Sequence, residues 1–264
     1  MNKDSKIVVQ KYGGSSLSHP NAIKKVASLI KNRTIYNKKI CVIVSAMGET
    51  TNQLLSLANK ISNNPSHREL DMLLSCGERI SISLLSIALN EIGIPSISFT
   101  GSQSGIITDN KHCIANIIEL QPFRVKEELN KNKVVIIAGF QGISKKKEIT
   151  TLGRGGSDIT AIAMTAALNA EICEIYSDVN GIYSADPKLV KTAKFFETLS
   201  YEQMHELSIS GANVLHHQAV SLAKKKGIII HARKTGSSNT GTIICNKKSS
   251  KQSVLGIIHR KNIF

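Results

Sequence analysis

The 264-residue chain contains no tryptophan, and aromatic residues make up only 4% of it, so aliphatic side chains must do the packing. The same shortage argues against a nucleic-acid partner. A formal charge of +15 invites that reading, but the lysines are scattered in short runs such as 145–147 and 224–226, without interleaved aromatics on which bases could stack. No CxxC pair occurs. The five cysteines, Cys41, Cys76, Cys113, Cys173 and Cys245, lie far apart and mostly beside apolar neighbours, which points to buried free thiols in a reducing cytoplasm. No apolar run has the form of a secretion signal or of a membrane span, so the expectation is a cytoplasmic protein with no membrane partner. Neither GxxxxGK[ST] nor GxGxxG is present, which removes two common nucleotide signatures.

What the chain does have is alternation. Residues 6–10 (KIVVQ), 39–46, 95–100, 133–140, 171–177 and 227–232 are Ile- and Val-rich and read as buried strands. Helical patterns cover 20–33, 51–62, 67–91, 122–131, 157–169 and 200–226, the last broken near Gly211 and opened by a Ser200–Gln203 capping box. This order predicts an α/β fold, a three-layer α-β-α sandwich with a mainly parallel central sheet. Residues 1–246 read as one domain of two lobes, divided near residue 150, and 247–264 as a polar tail.

Ligands of open parallel sheets bind at the carboxyl ends of strands, where helix N-termini also point. Five loops in such places are unusual. In KYGGSS, Lys11 closes a strand, Gly13 and Gly14 let backbone N–H groups approach an anion, and Ser15 or Ser16 adds a hydroxyl. In VSAMGETTN, Thr50, Thr51 or Asn52 would cap a helix and leave a hydroxyl free for a ligand. In LLSCGERIS, Glu78 and Arg79 either form a surface pair, or Glu78 is buried at a kink and accepts from a ligand ammonium. TTLGRGGSDITA sets Arg154, Gly155, Gly156, Ser157 and Asp158 at the start of an alanine-rich helix, a pattern suited to a bound carboxylate or phosphate. In YSDVNGIYSADPK, Asn180–Gly181 predicts a tight hairpin, and Asp178, Tyr183, Asp186 and Lys188 could line a nucleotide pocket.

Taken in order, KYGGSSL, SAMGETT, GERIS, FTGSQSGI, AGFQG, TLGRGGSD and EIYSDVNGIYSADP resemble the motifs of the aspartokinase family, within the amino acid kinase superfamily, over about residues 6–245. Glutamate 5-kinase, uridylate kinase and carbamate kinase share that fold but not this motif set. The resemblance implies the amino acid kinase fold and transfer of a phosphoryl group from ATP to L-aspartate, giving 4-phospho-L-aspartate on the way to diaminopimelate, lysine, threonine and methionine. It implies Mg²⁺ bound with the nucleotide and no metal site of the protein's own. It assigns Lys11, Gly13, Gly14 and Ser15 to the phosphate loop, with Lys11 and Asp158 as the catalytic residues. Thr51, Glu78, Arg154, Gly155, Gly156 and Ser157 fall on the aspartate site. Ser177, Asp178, Tyr183, Lys188, Asn213 and Val214 fall on the nucleotide side.

The chain departs from the family pattern at Asn213, usually lysine, at His217, usually proline, and at His231 and Thr240. His216 and His217 lack a suitably spaced carboxylate or cysteine to make a metal site. Most aspartokinases continue into two ACT regulatory domains, which are not present in these 264 residues. Freedom from feedback, a separate ACT subunit and a catalytic fragment are the three readings this leaves, and a homodimer is the family expectation. A kinase of a hydroxylated aspartate and a non-catalytic regulatory homologue are the competing functions.

Overall fold

A computed structural model of the chain describes residues 7–34, 38–187, 189–211 and 214–246. In chain order its first strands are β1 (Ile7–Tyr12), β2 (Lys39–Val44), β3 (Ser96–Phe99), β4 (Ile106–Thr108), β5 (Ile117–Leu120), β6 (Val134–Ala138), β7 (Gln141–Ser144) and β8 (Ile149–Thr151). There follow β9 (Ile172–Ser177), β10 (Ile182–Tyr183), β11 (Phe195–Phe196), β12 (Thr198–Ser200), β13 (Ile230–Lys234) and β14 (Thr242–Cys245). The helices are α1 (Pro20–Thr34), α2 (Thr50–Ile61), α3 (His67–Leu74), α4 (Cys76–Glu91), α5 (Phe123–Asn130), α6 (Gly156–Ala167), α7 (Tyr201–Ser210) and α8 (His217–Lys226).

The central sheet has eight strands in the order β12-β14-β13-β9-β1-β2-β6-β3, parallel except for the β13–β14 pair. Its strands are apolar on both faces, as a sheet covered by helices on both sides requires. Alternation assigns the faces. Val9, Cys41, Ile43, Val135 and Ile137 pack with α5, α6 and α8 in one core, while Val8, Ile40, Val42, Val44 and Ile136 pack with α1 and α4 in the other. The second layer also holds a buried acid, Glu174 of β9. It accepts from Gln10 at 2.8 Å and Tyr176 at 3.0 Å and is ion-paired to Arg33 of α1, tying that helix to the sheet. A smaller four-stranded sheet, β5-β4-β7-β8, stands beside the first.

Several expectations change. The 67–91 helix divides at Ser75 into α3 and α4, while 200–226 breaks at Gly211 into α7 and α8, as expected. His67–Glu91 is long and apolar enough, at a mean hydropathy of 1.5, to cross a membrane by length and composition. Yet its α4 part lies against α1, β3 and β6 and its α3 part against β8 and α2, with Asp71 and Glu78 buried. The hairpin expected at Asn180–Gly181 does not close on β9. Both edges of β9 are occupied, by β1 and β13, so β10 pairs with β11 instead. Of the cysteines, Cys41 and Cys173 are buried as expected, whereas Cys76 is exposed and Cys113 and Cys245 are half-buried. The Ser200–Gln203 capping box is formed.

Candidate active site

Lys11 shares the face of β1 that carries Val9, so it projects toward α6. Asp158 stands in the first turn of α6, where a negative side chain is favoured by the helix dipole. Their charged groups meet at 2.8 Å, with side chains only 14% and 10% exposed. The second carboxylate oxygen of Asp158 accepts the backbone N–H of His216 at 3.4 Å, joining α6 to the start of α8. The residue before α6, Gly155, is left-handed at φ 74°, and a Cβ there would run into the His216 ring.

The loop after β1 and the loop after β2 touch backbone to backbone. Gly48 N–H donates to the Gly14 carbonyl at 3.0 Å, and a Cβ on Gly14 would sit 2.7 Å from the Ala46 carbonyl. Gly13 N–H donates to Tyr176 O at 3.3 Å, which fixes the first loop to the end of β9. No threonine or asparagine caps α2: Glu49 occupies the cap position without a side-chain capping bond, its carboxylate accepting from Asn52 instead, and Thr50 bonds Met47 O, which leaves the half-buried Thr51 side chain to line the site.

Glu78, in the first turn of α4, turns inward rather than pairing with Arg79 on the surface. It is 3% exposed, and one carboxylate oxygen accepts Ala46 N–H at 3.1 Å. The other oxygen has no hydrogen-bond partner among the described residues. Burial pushes the carboxyl up to about 7, against hydrogen bonds from Ala46 and its own backbone that lower it. A positive charge placed beside such a group favours its ionised form.

One cavity of about 310 Å³ brings together Lys11, Gly14, Thr51, Glu78 and the whole Arg154–Asp158 turn, with Arg154 exposed at its edge. A second, of about 450 Å³, gathers Ser15, Ser177 and Asp178 with Lys25, Lys234 and Thr235. Tyr183 packs edge-on against Phe195 and lines neither cavity, nor does the half-buried Val214. Lys188 and Asn213 lie outside the described residues. Sequence reasoning missed the Ala46 N–H that holds Glu78, and it missed Lys234 and Thr235. The latter two stand directly at the carboxyl end of β13, so the rule that found the other loops would have found them. Among the described residues no three His, Cys, Asp or Glu side chains gather as a metal site.

The sequence model of the Amino acid kinase family matches residues 6–233. The chain belongs to the amino acid kinase family. Within that family it is similar to the aspartokinase of Mycolicibacterium smegmatis, 47% identical over 239 residues, which are 90% of this chain and 57% of that protein. It thus spans little more than half the length of that relative. Among solved structures, aspartate kinase from Synechocystis superposes with a TM-score of 0.81 at 45% identity, covering 91% of this chain and 40% of that one. E. coli aspartokinase III, solved in complex with aspartate and ADP, gives 0.83 at 27% identity, covering 92% and 65%. The family fold expected from the sequence, a mainly parallel sheet between helix layers, is the one observed.

Proposed function

We propose that the chain transfers the terminal phosphoryl group of ATP to the side-chain carboxylate of L-aspartate, giving ADP and 4-phospho-L-aspartate. The observation that carries this reading is the Lys11–Asp158 pair sharing one cavity with Arg154 and Glu78. The likeness over 90% of this chain to the M. smegmatis aspartokinase, and to E. coli aspartokinase III solved with aspartate and ADP, supports the same reading.

The attacking carboxylate is already ionised at neutral pH, so the reaction needs no general base. Its barrier is repulsion between two anions together with charge spreading over the moving phosphoryl group. Lys11 supplies compensating positive charge, and Asp158 holds its ammonium in place. With Gly13 N–H committed to Tyr176 O, the Gly14 amide is left as a fixed donor for a phosphate oxygen, on a loop held tight against the Ala46–Gly48 backbone. Arg154 can grip the α-carboxylate in a fork, and Glu78 receives the ammonium, whose charge favours the ionised form of this buried acid. The donor set is one for phosphates rather than for a protein-held cation, and Mg²⁺ carried by the nucleotide would add neutralising charge there. On this reading Ser15, Ser177 and Asp178 serve the nucleotide side.

The test is a hydroxamate assay on the purified chain with ATP and L-aspartate. Product that requires both substrates is expected. A panel including hydroxylated aspartates should favour aspartate, and absence of any aspartate-dependent product would overturn the assignment.

A further inference from the structure

Asp71 of α3 is fully buried at 0% exposure, and none of the sequence motifs above includes it. One of its oxygens accepts the Thr151 hydroxyl at 2.5 Å and the Cys113 N–H at 3.0 Å, and the other lies 2.6 Å from Nδ1 of His112. Burying a carboxylate is costly unless its lone pairs are met, and here both oxygens are engaged. All these partners bear on one loop. Thr151 ends β8, three residues before Arg154, and its carbonyl accepts the Ala115 N–H at 2.9 Å. The Cys113 carbonyl presses on Gly153, where a Cβ would approach it to 3.0 Å.

The same acid lies seven residues before Glu78, across the α3–α4 junction. That junction is itself fixed: the carbonyl of Ser75 accepts Gln141 Nε2 at 2.9 Å, and next to Gln141 the Phe140 carbonyl accepts Leu152 N–H at 2.8 Å. Asp71 therefore ties α3, and through the α3–α4 junction the helix that delivers Glu78, to the loop that delivers Arg154.

We infer that Asp71 is a positioning residue for the amino-acid substrate, setting the spacing between the group for its ammonium and the group for its α-carboxylate. This rests on the roles proposed above for Glu78 and Arg154. It touches neither substrate nor nucleotide and acts through Thr151 and Cys113. Its loss would blur the fit to an α-amino acid while leaving Lys11, Asp158 and the phosphate loop as they are. An asparagine could keep the contacts to Thr151 and Cys113 through its oxygen and donate to His112 through its nitrogen.

The experiment compares the full chain with Asp71→Ala, Asp71→Asn and, as a milder variant that keeps the acid, Thr151→Val. Steady-state kinetics are combined with hydrogen exchange of the Leu152–Gly156 amides. The expected result for Asp71→Ala is an aspartate KM raised about tenfold or more, with kcat and ATP KM within about threefold of wild type. Thr151→Val should move the same way by a smaller factor, Asp71→Asn should recover most of the loss, and loop exchange should quicken in step. An unchanged aspartate KM in the folded variants, equal loss in kcat and ATP KM, or loop exchange identical to wild type would overturn the inference. If Asp71→Ala does not fold, Thr151→Val and Asp71→Asn carry the same decision. A wild-type chain inactive on aspartate would instead sink the functional proposal, and the exchange rates alone would then decide whether Asp71 holds the loop.

Discussion

The ammonium of Lys11 and the carboxylate of Asp158 meet at 2.8 Å although 147 positions (158 − 11) separate them in the chain. β1 supplies the lysine by strand alternation and α6 supplies the acid from its first turn. Removing the lysine leaves Asp158 buried without a cation. Lys11→Ala should lower kcat more than a hundredfold, about 3 kcal/mol of transition-state stabilisation, with little change in aspartate KM. Near-normal turnover in the coupled ADP assay would rule out this role.

Glu78 yields a pH dependence of definite sign. Its folded-state value of about 7 exceeds the ordinary 4.5, so the folded protein holds a proton that the unfolded chain releases. Stability of the ligand-free chain is therefore greatest below the unfolded value and falls as pH rises from 4.5 toward 7, by on the order of 3 kcal/mol. Substrate binding runs the other way, because the ammonium needs the ionised form, so aspartate KM should climb as pH falls below about 7. Glu78→Gln should make the ligand-free protein more stable at pH 8 while raising aspartate KM at least tenfold. Thermal unfolding at pH 5 and pH 8 checks the first half, and a variant that is less stable at pH 8 would count against it.

Arg154 is exposed at the cavity edge, so replacing it should cost function and little stability. Arg154→Lys keeps the charge but loses the planar fork, and aspartate KM should rise about tenfold with ATP KM unaltered. Equal effects on both substrates would point to a phosphate contact instead.

Gly14→Ala would push a methyl group to 2.7 Å from the Ala46 carbonyl, a backbone atom that cannot swing aside. We expect a loss of about 1–3 kcal/mol in urea unfolding, together with weaker ATP binding as the two loops part. An alanine variant with wild-type stability and ATP KM would show that the loops do not need this close approach.

The continuous apolar runs at 39–46 and 133–140 were enough to find β2 and β6, because central parallel strands must be apolar on both faces. Short elements were not legible. β4, β7, β8 and β10 have two to four residues each, too few to show a period, and they exist through their partners. The hairpin expected at Asn180–Gly181 failed for a related reason: turn residues favour a reversal but do not know which neighbouring edges are free. Glycines, lysine and arginine marked the site loops because close backbone approach and anion binding restrict residue type locally. Asp71 left no such mark, since a lone acid in a helix looks the same whether its partners lie in solvent or 42 and 80 residues away.

What the linear chain determined by itself was the set of elements and the chemistry available at their ends, since both follow from interactions a few residues in range. What only the tertiary structure decided was which of those ends meet. Glu78 acquires its raised proton affinity from burial beside Ala46, and Lys11 finds its acid in a helix contributed by the second half of the chain. Desolvation and ion pairing depend on distance through space, and that distance is set by sheet order rather than by sequence separation.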